Sequence, residues 1–116
     1  MARTQQQGTE AEISAQNHLV QQGLQAIDRN HRCRGGEIDL VMRDQDTLVF
    51  VEVRLRRNNA YGGALASIDR RKQARLTIAA HHYLQKHRWN GPCRFDVVGI
   101  DASGNLQWIE NAFDVS

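Results

Sequence analysis

The chain has 116 residues, 41% apolar and 24% charged, with a net charge of +2, which suits one globular domain with a single core. No window approaches the ~20 apolar residues of a helical membrane span, and the polar start Met-Ala-Arg-Thr-Gln-Gln-Gln lacks the apolar core of a signal peptide, so a cytoplasmic protein is expected. Cys33 and Cys93 stand far apart without Cys-x-x-Cys or Cys/His spacing, which excludes a zinc-ligand pattern and a disulfide framework and leaves two reduced thiols as the expectation.

Thr9 to Gln22 has the apolar spacing of a first helix, and Gly23 stands where a left-handed C-terminal cap is needed. On that helix Glu12 shares a face with Ala15 and Leu19, the side that docks on a sheet, while Glu10 points elsewhere, toward solvent. A short piece from Leu24 to Asn30 reads as an edge strand or a connecting segment. Residues 36 to 54 then form a hairpin by their β-branched content, with a polar turn from Arg43 to Thr47. Strand alternation points Glu37 and Asp39 one way along the first strand, and Glu52 and Arg54 one way along the second. Arg-Arg-Asn-Asn-Ala-Tyr-Gly-Gly, residues 56 to 63, is a loop by its Asn and Gly content. A second helix starts at Ser67 or Asp69 and runs to about Lys86, with Leu76, Ala79, Ala80, Tyr83 and Leu84 as its apolar stripe. After the Asn90-Gly91-Pro92 break, Arg94 to Ile100 reads as a strand, Ser103-Gly104-Asn105 as a turn and Leu106 to Ile109 as a last strand. The order α, β, β, β, α, β, β predicts an α/β fold with a mixed sheet flanked by helices.

Three acids do not fit this pattern as structural residues. Glu12 lies on a buried stripe, and Asp39 and Glu52 lie within apolar strands, where an ionised group costs several kcal/mol unless it is paired or binds a metal. Such an arrangement is what a Mg²⁺-dependent phosphodiesterase needs. Just downstream, residues 54 to 75 hold Arg54, Arg56, Arg57, Arg70, Arg71, Lys72 and Arg75 against the single acid Asp69. Arginine suits forked contacts with phosphate, so the cluster next to the acids points to nucleic acid; the plainer alternative is a solvated helix face with a basic loop. Tyr61, in that loop, could stack on an unpaired base.

The frame Gly8-x-x-x-Glu12-x-x-Ala15-x-x-x-Leu19-x-x-x-Gly23, the box Gly35-Gly36-Glu37-Ile38-Asp39-Leu40, the strand Val49-Phe50-Val51-Glu52-Val53-Arg54, the pair Lys72-Gln73 and the segment Arg94-Phe95-Asp96-Val97-Val98 resemble the YraN family. That family is a bacterial group within the PD-(D/E)xK nuclease superfamily and is similar to archaeal Holliday-junction resolvases. The resemblance spans nearly the whole chain. It implies a restriction-endonuclease-like three-layer fold and a DNA endonuclease dependent on Mg²⁺ or Mn²⁺, with branched or single-stranded DNA as the substrate by analogy. It further implies that Asp39 and Glu52 hold the metal with the Val53 carbonyl, that Glu12 contributes through water or a second ion, and that Arg54 stands where the superfamily usually has lysine. Symmetric junction cleavage would require two copies, so a homodimer is carried as a hypothesis.

Arginine at position 54 departs from that pattern. A guanidinium stays protonated and cannot accept a proton, although it can clamp a phosphate and stabilise developing charge. Either Arg54 acts electrostatically, or the chain binds DNA on a nuclease fold with weak or lost turnover, or another lysine replaces the missing one. Lys72, which follows the inward stripe of the second helix with Leu76, Ala79 and Tyr83, is the candidate replacement; its plainer reading is a lysine snorkelling at the edge of that stripe. Asp96 reads as a structural partner for Arg94 or Arg32, Glu37 as a supporting or an exposed acid, and the five histidines as lacking ligand spacing. Trp89, Phe95, Trp108 and Phe113 read as core or rim.

Overall fold

The computed structural model describes residues 5–56, 65 and 67–114, and side chains from Gly8 onward. Its elements follow the expected order: α1 (Gln5–Gln21), β1 (Gln25–Cys33), β2 (Gly36–Asp44), β3 (Thr47–Leu55), α2 (Arg70–Lys86), β4 (Cys93–Ile100) and β5 (Leu106–Phe113). The strands form one sheet in the order β1-β2-β3-β4-β5, antiparallel except for the parallel pair β3–β4. A parallel pair needs a long crossover, and α2 supplies it. The α/β class and the mixed sheet flanked by helices are therefore as the pattern predicted, and the architecture is compatible with a restriction-endonuclease-like fold.

Two apolar layers sandwich the sheet. On one face Ala11, Ala15 and Leu19 of α1 pack with Leu40, Met42, Val49, Val51, Val53 and Val98. On the other, Leu76, Ala79, Ala80 and Tyr83 of α2 pack with Ile38, Val41, Leu48, Phe50, Phe95 and Val97. Because β2, β3 and β4 bury both faces, they read as nearly continuous apolar runs, in which any ionised side chain stands out.

The helix boundaries follow the capping chemistry. Gly23, at φ +102°, closes α1, a conformation that costs a side-chain-bearing residue about 1 kcal/mol or more. Asp69, not Ser67, caps α2 by accepting the Lys72 amide at 2.8 Å. At its start α1 runs back through Gly8 to Gln5, because glutamines propagate a helix well. The segment after Leu24 is a full nine-residue edge strand that continues to Cys33. The last strand likewise outruns its predicted end at Ile109, reaching Phe113 through an irregularity opposite Asp96 at which Asn111 takes φ +50°.

Asp96 holds that irregular edge. Its side chain is fully buried and accepts from Arg94 Nε at 3.0 Å, Arg94 Nη2 at 3.2 Å, Trp108 Nε1 at 2.9 Å and the Asn111 amide at 2.9 Å. Arg94 also reaches Asp44 at the end of β2, at 3.0 Å. Arg32, the other partner considered for Asp96, instead pairs with Glu37 at 3.2 Å on the surface. No helix among the described residues is long and apolar enough to cross a membrane.

Candidate functional site

The two central strands part at the acids. Pairing between β2 and β3 runs from Asp44↔Thr47 to Leu40↔Val51 and stops there; one step further the register would set Asp39 against Glu52. Beyond that point β2 stays paired with β1, and β3 with β4. Asp39 fills the opening, its Oδ2 accepting the Val53 amide at 2.8 Å, so a carboxylate takes a hydrogen bond that a strand carbonyl would otherwise receive. Asp39 and Glu52 are 5% and 4% exposed and hydrogen-bonded to each other.

Buried carboxyls in contact cannot both ionise cheaply. Burial first, then the neighbouring Asp39 charge and hydrogen bond, push the Glu52 pKa up to about 8, while Lys72 acts in the opposite direction. The pH dependence follows from the sign of that shift. Between the ordinary 4.5 and about 8 the unfolded chain has released this proton and the folded chain keeps it, so folding stability falls as pH rises through that window and levels off above it. In metal-free buffer the melting temperature is expected to drop from pH 5 to pH 8 by several degrees more than that of Glu52→Gln; parallel profiles would contradict the assignment.

Among the described residues two cations meet Glu52. Lys72 Nζ lies 3.2 Å from Oε2, reaching across from the first turn of α2. Arg54 Nη1 is further away at 3.6 Å, because its fork is turned to Ser67: Nε donates to Oγ at 3.0 Å and Nη2 to the carbonyl at 3.2 Å. The lysine contact is thus supplied by the helix, and the arginine on the strand is shared with the segment leading into that helix. Gln73 Nε2 donates to the Ile68 carbonyl at 3.2 Å and steadies the same segment.

Glu12 is 5% exposed and lies on the sheet-facing side of α1 with Ala11, Ala15 and Leu19, against the layer that contains Val51 and Val53. Glu10 faces solvent, as its position on the helix predicted. Among the described residues no three His, Cys, Asp or Glu side chains are grouped to hold an ion. The ready-made part of the site is the Asp39–Glu52 pair. Such a pair still fits a hard cation, since Mg²⁺ is characteristically held by one or two carboxylates, with waters and substrate phosphate completing its oxygen shell.

Arg70, Arg71 and Arg75 are exposed on the first half of α2, the helix that carries Lys72. Its first turn has no acid beyond the cap, so three cations, Arg70, Arg71 and Lys72, crowd the positive end of a helix dipole, an arrangement that works against helix stability. Arg56 is half-buried just past β3, its amide donating to the Ile100 carbonyl at 2.9 Å. Arg57 and Tyr61 lie outside the described residues, as does most of the basic loop. Sequence spacing did not disclose the hold of Ser67 on Arg54, nor the meeting of His31 Nε2 with His82 Nδ1 at 3.0 Å across β1 and α2. Burial and the facing His82 lower the His31 pKa, and the contact helps dock α2 on the edge strand.

Comparison with known proteins places this frame among relatives. Residues 11–100 match the model of the uncharacterised protein family UPF0102, the family also called YraN. The chain belongs to this family. A UPF0102 protein of Saccharophagus degradans is 52% identical over 118 residues, covering 100% of this chain and 99% of the relative. One of Stutzerimonas stutzeri is 55% identical, covering 98% and 99%, and one of Pseudomonas entomophila is 56% identical, covering 92% of each. The matched span, residues 11–100, contains Asp39, Glu52, Arg54 and Lys72 of the strand opening, and also Glu12 and Arg75.

Proposed function

We propose that the chain is a metal-dependent DNA endonuclease of the PD-(D/E)xK type, whose lysine is Lys72 on α2. The observation that carries this reading is the 3.2 Å contact of Lys72 Nζ with Glu52, made where Glu52 is buried against Asp39 at the parting of β2 and β3. Neither a structural core nor a plain binding surface gains from two buried acids in contact; a hydrolytic centre for phosphodiesters does.

Asp39 and Glu52 would hold Mg²⁺ or Mn²⁺ with the Val53 carbonyl, Glu12 taking part through water. When bound, such an ion polarises a phosphoryl oxygen and makes a coordinated water more acidic. The chain's own residues supply the rest. Asp39 is held in place by the Val53 amide, which fixes one ligand relative to the strand that carries the other. Lys72, 28% exposed, stands at the rim of the opening with an ammonium able to orient a water or to stabilise charge that builds on the phosphate. Arg54, anchored on Ser67, places a permanent cation beside the same carboxylate and can clamp a phosphate without taking up its proton. Arg70, Arg71 and Arg75 provide the positive approach for the DNA backbone, and Arg56, Arg57 and Tyr61, earlier in the sequence, are proposed to add to it.

That Ser67 occupies Arg54 favours a second reading, a DNA-binding protein with a retired active site. Metal binding separates the two without recourse to activity. Titration with Mn²⁺, followed by paramagnetic resonance or calorimetry, is expected to show a site that Asp39→Ala and Glu52→Ala each weaken by at least tenfold; affinity unchanged in both variants would remove the metal from the account.

A further inference from the structure

Beside the site an open hollow of about 280 Å³ is lined by Arg32, Cys33, Gly35, Gly36, Glu37 and Arg75. Two features of the backbone build it. Gly35 turns the chain between β1 and β2 at φ +95°, and Gly36 lets β2 start directly against α2: a Cβ there would sit 2.1 Å from the Arg75 carbonyl oxygen. The root of Arg75 is therefore fixed next to the strand that carries Asp39. Arg32 faces it from β1, its guanidinium held by Glu37 at 3.2 Å with 74% of the side chain exposed. The hollow has room for a phosphate with part of its hydration.

The position of the hollow indicates what it takes. Arg75 stands three residues after Lys72 on α2, a separation of roughly 5–6 Å between neighbouring helical positions. Gly36 lies three residues before Asp39 on β2, about 10 Å along the strand. A polyanion seated at Glu52 and Lys72 would thus present its next backbone phosphate to Arg32 and Arg75. We infer that this hollow is a second phosphate subsite, in which Arg32 and Arg75 together grip one non-scissile phosphate of the DNA strand bound at Asp39, Glu52 and Lys72. Glu37 is the residue that positions Arg32. The inference rests on the reading of that site as a DNA site, and it makes the site's ligand an extended strand instead of a mononucleotide.

Counterion release gives the inference a numerical signature. Each phosphate neutralised contributes roughly 0.9 to the slope of log affinity against log salt for duplex, and roughly 0.7 for a single strand. Binding of labelled duplex and single-stranded oligonucleotides to the full chain is to be measured by fluorescence anisotropy in Ca²⁺ between about 50 and 200 mM salt, a range over which affinity falls roughly tenfold for every two phosphate contacts. Arg32→Ala and Arg75→Ala are each expected to weaken binding about tenfold at low salt and to lower the slope by about one phosphate. The double variant should lower it no further, since both residues hold the same phosphate, and exposed Arg88→Ala should bind as wild type, all variants melting within a few degrees of it. Wild-type affinity in both single variants, or a slope that falls by two phosphates in the double, would overturn the subsite, as would absence of DNA binding by the wild type. The nuclease reading fails separately: binding with the predicted slopes but no cutting in any metal would keep the subsite and retire the chemistry.

Discussion

Lys72→Ala is expected to lower metal-dependent cleavage on the order of 100- to 1000-fold, the loss seen when a single preorganised donor to a developing charge is removed. Lys86→Ala, at the far end of the same helix, should leave the rate unchanged. Arg54→Ala should fall between them. Arg54 is 3.6 Å from Glu52 and divided between that carboxylate and Ser67, whereas Lys72 is at 3.2 Å. The single-turnover rate with saturating Mn²⁺ is the quantity to compare, because Lys72 also helps to neutralise Glu52 and its loss alters metal affinity. Rates of Lys72→Ala and Lys86→Ala that agree within a factor of two would remove Lys72 from the mechanism.

The largest effect on stability is expected at Asp96 on β4, which pairs with Val51 of β3. Asp96 is fully buried and takes four hydrogen bonds, two of them from Arg94, which also ties it to Asp44. Asp96→Ala strands a half-buried guanidinium, the Trp108 indole N–H and the Asn111 amide at once. Breaking a buried pair in this way costs about 3–5 kcal/mol, a large part of the ~5–15 kcal/mol available to a domain of this size. Urea denaturation should show a midpoint shift of that energy, accompanied by early loss of the β5 edge in hydrogen exchange. Asp96→Asn keeps an acceptor and should lose less; a shift below about 1 kcal/mol for Asp96→Ala would show that the network is ornamental.

What the sequence disclosed and what it withheld divide along the range of the interactions. The hairpin, the apolar stripe of α2 and the oddity of Asp39 and Glu52 are local, because alternation and helical spacing act within a few residues. The contact between Glu52 and Lys72 is not local. Twenty positions separate them in sequence, and only the crossover that makes β3 and β4 parallel brings the first turn of α2 over the strand. Spacing therefore could not choose between a snorkelling and a functional Lys72. Strand β1 was faint for a different reason: it is an edge, exposed at Gln25 through Asn30, and so has neither an apolar run nor a regular alternation. Strand β5 was cut short because Asn111 adopts a positive φ opposite Asp96 and breaks the period of two. The meeting of His31 with His82 depends on docking an edge strand against a helix, which no spacing rule reports.

The proposal stands or falls on whether the parted strands hold a working phosphodiesterase. The most direct measurement is cleavage of labelled four-way junction, flap, single-stranded and linear duplex DNA with Mg²⁺ or Mn²⁺, run in parallel for the wild type, Asp39→Ala and Glu52→Ala. The wild type is expected to make metal-dependent cuts, strongest on one branched or single-stranded substrate and abolished by either substitution. DNA bound but left whole in every metal, or cuts that survive both substitutions, would contradict it.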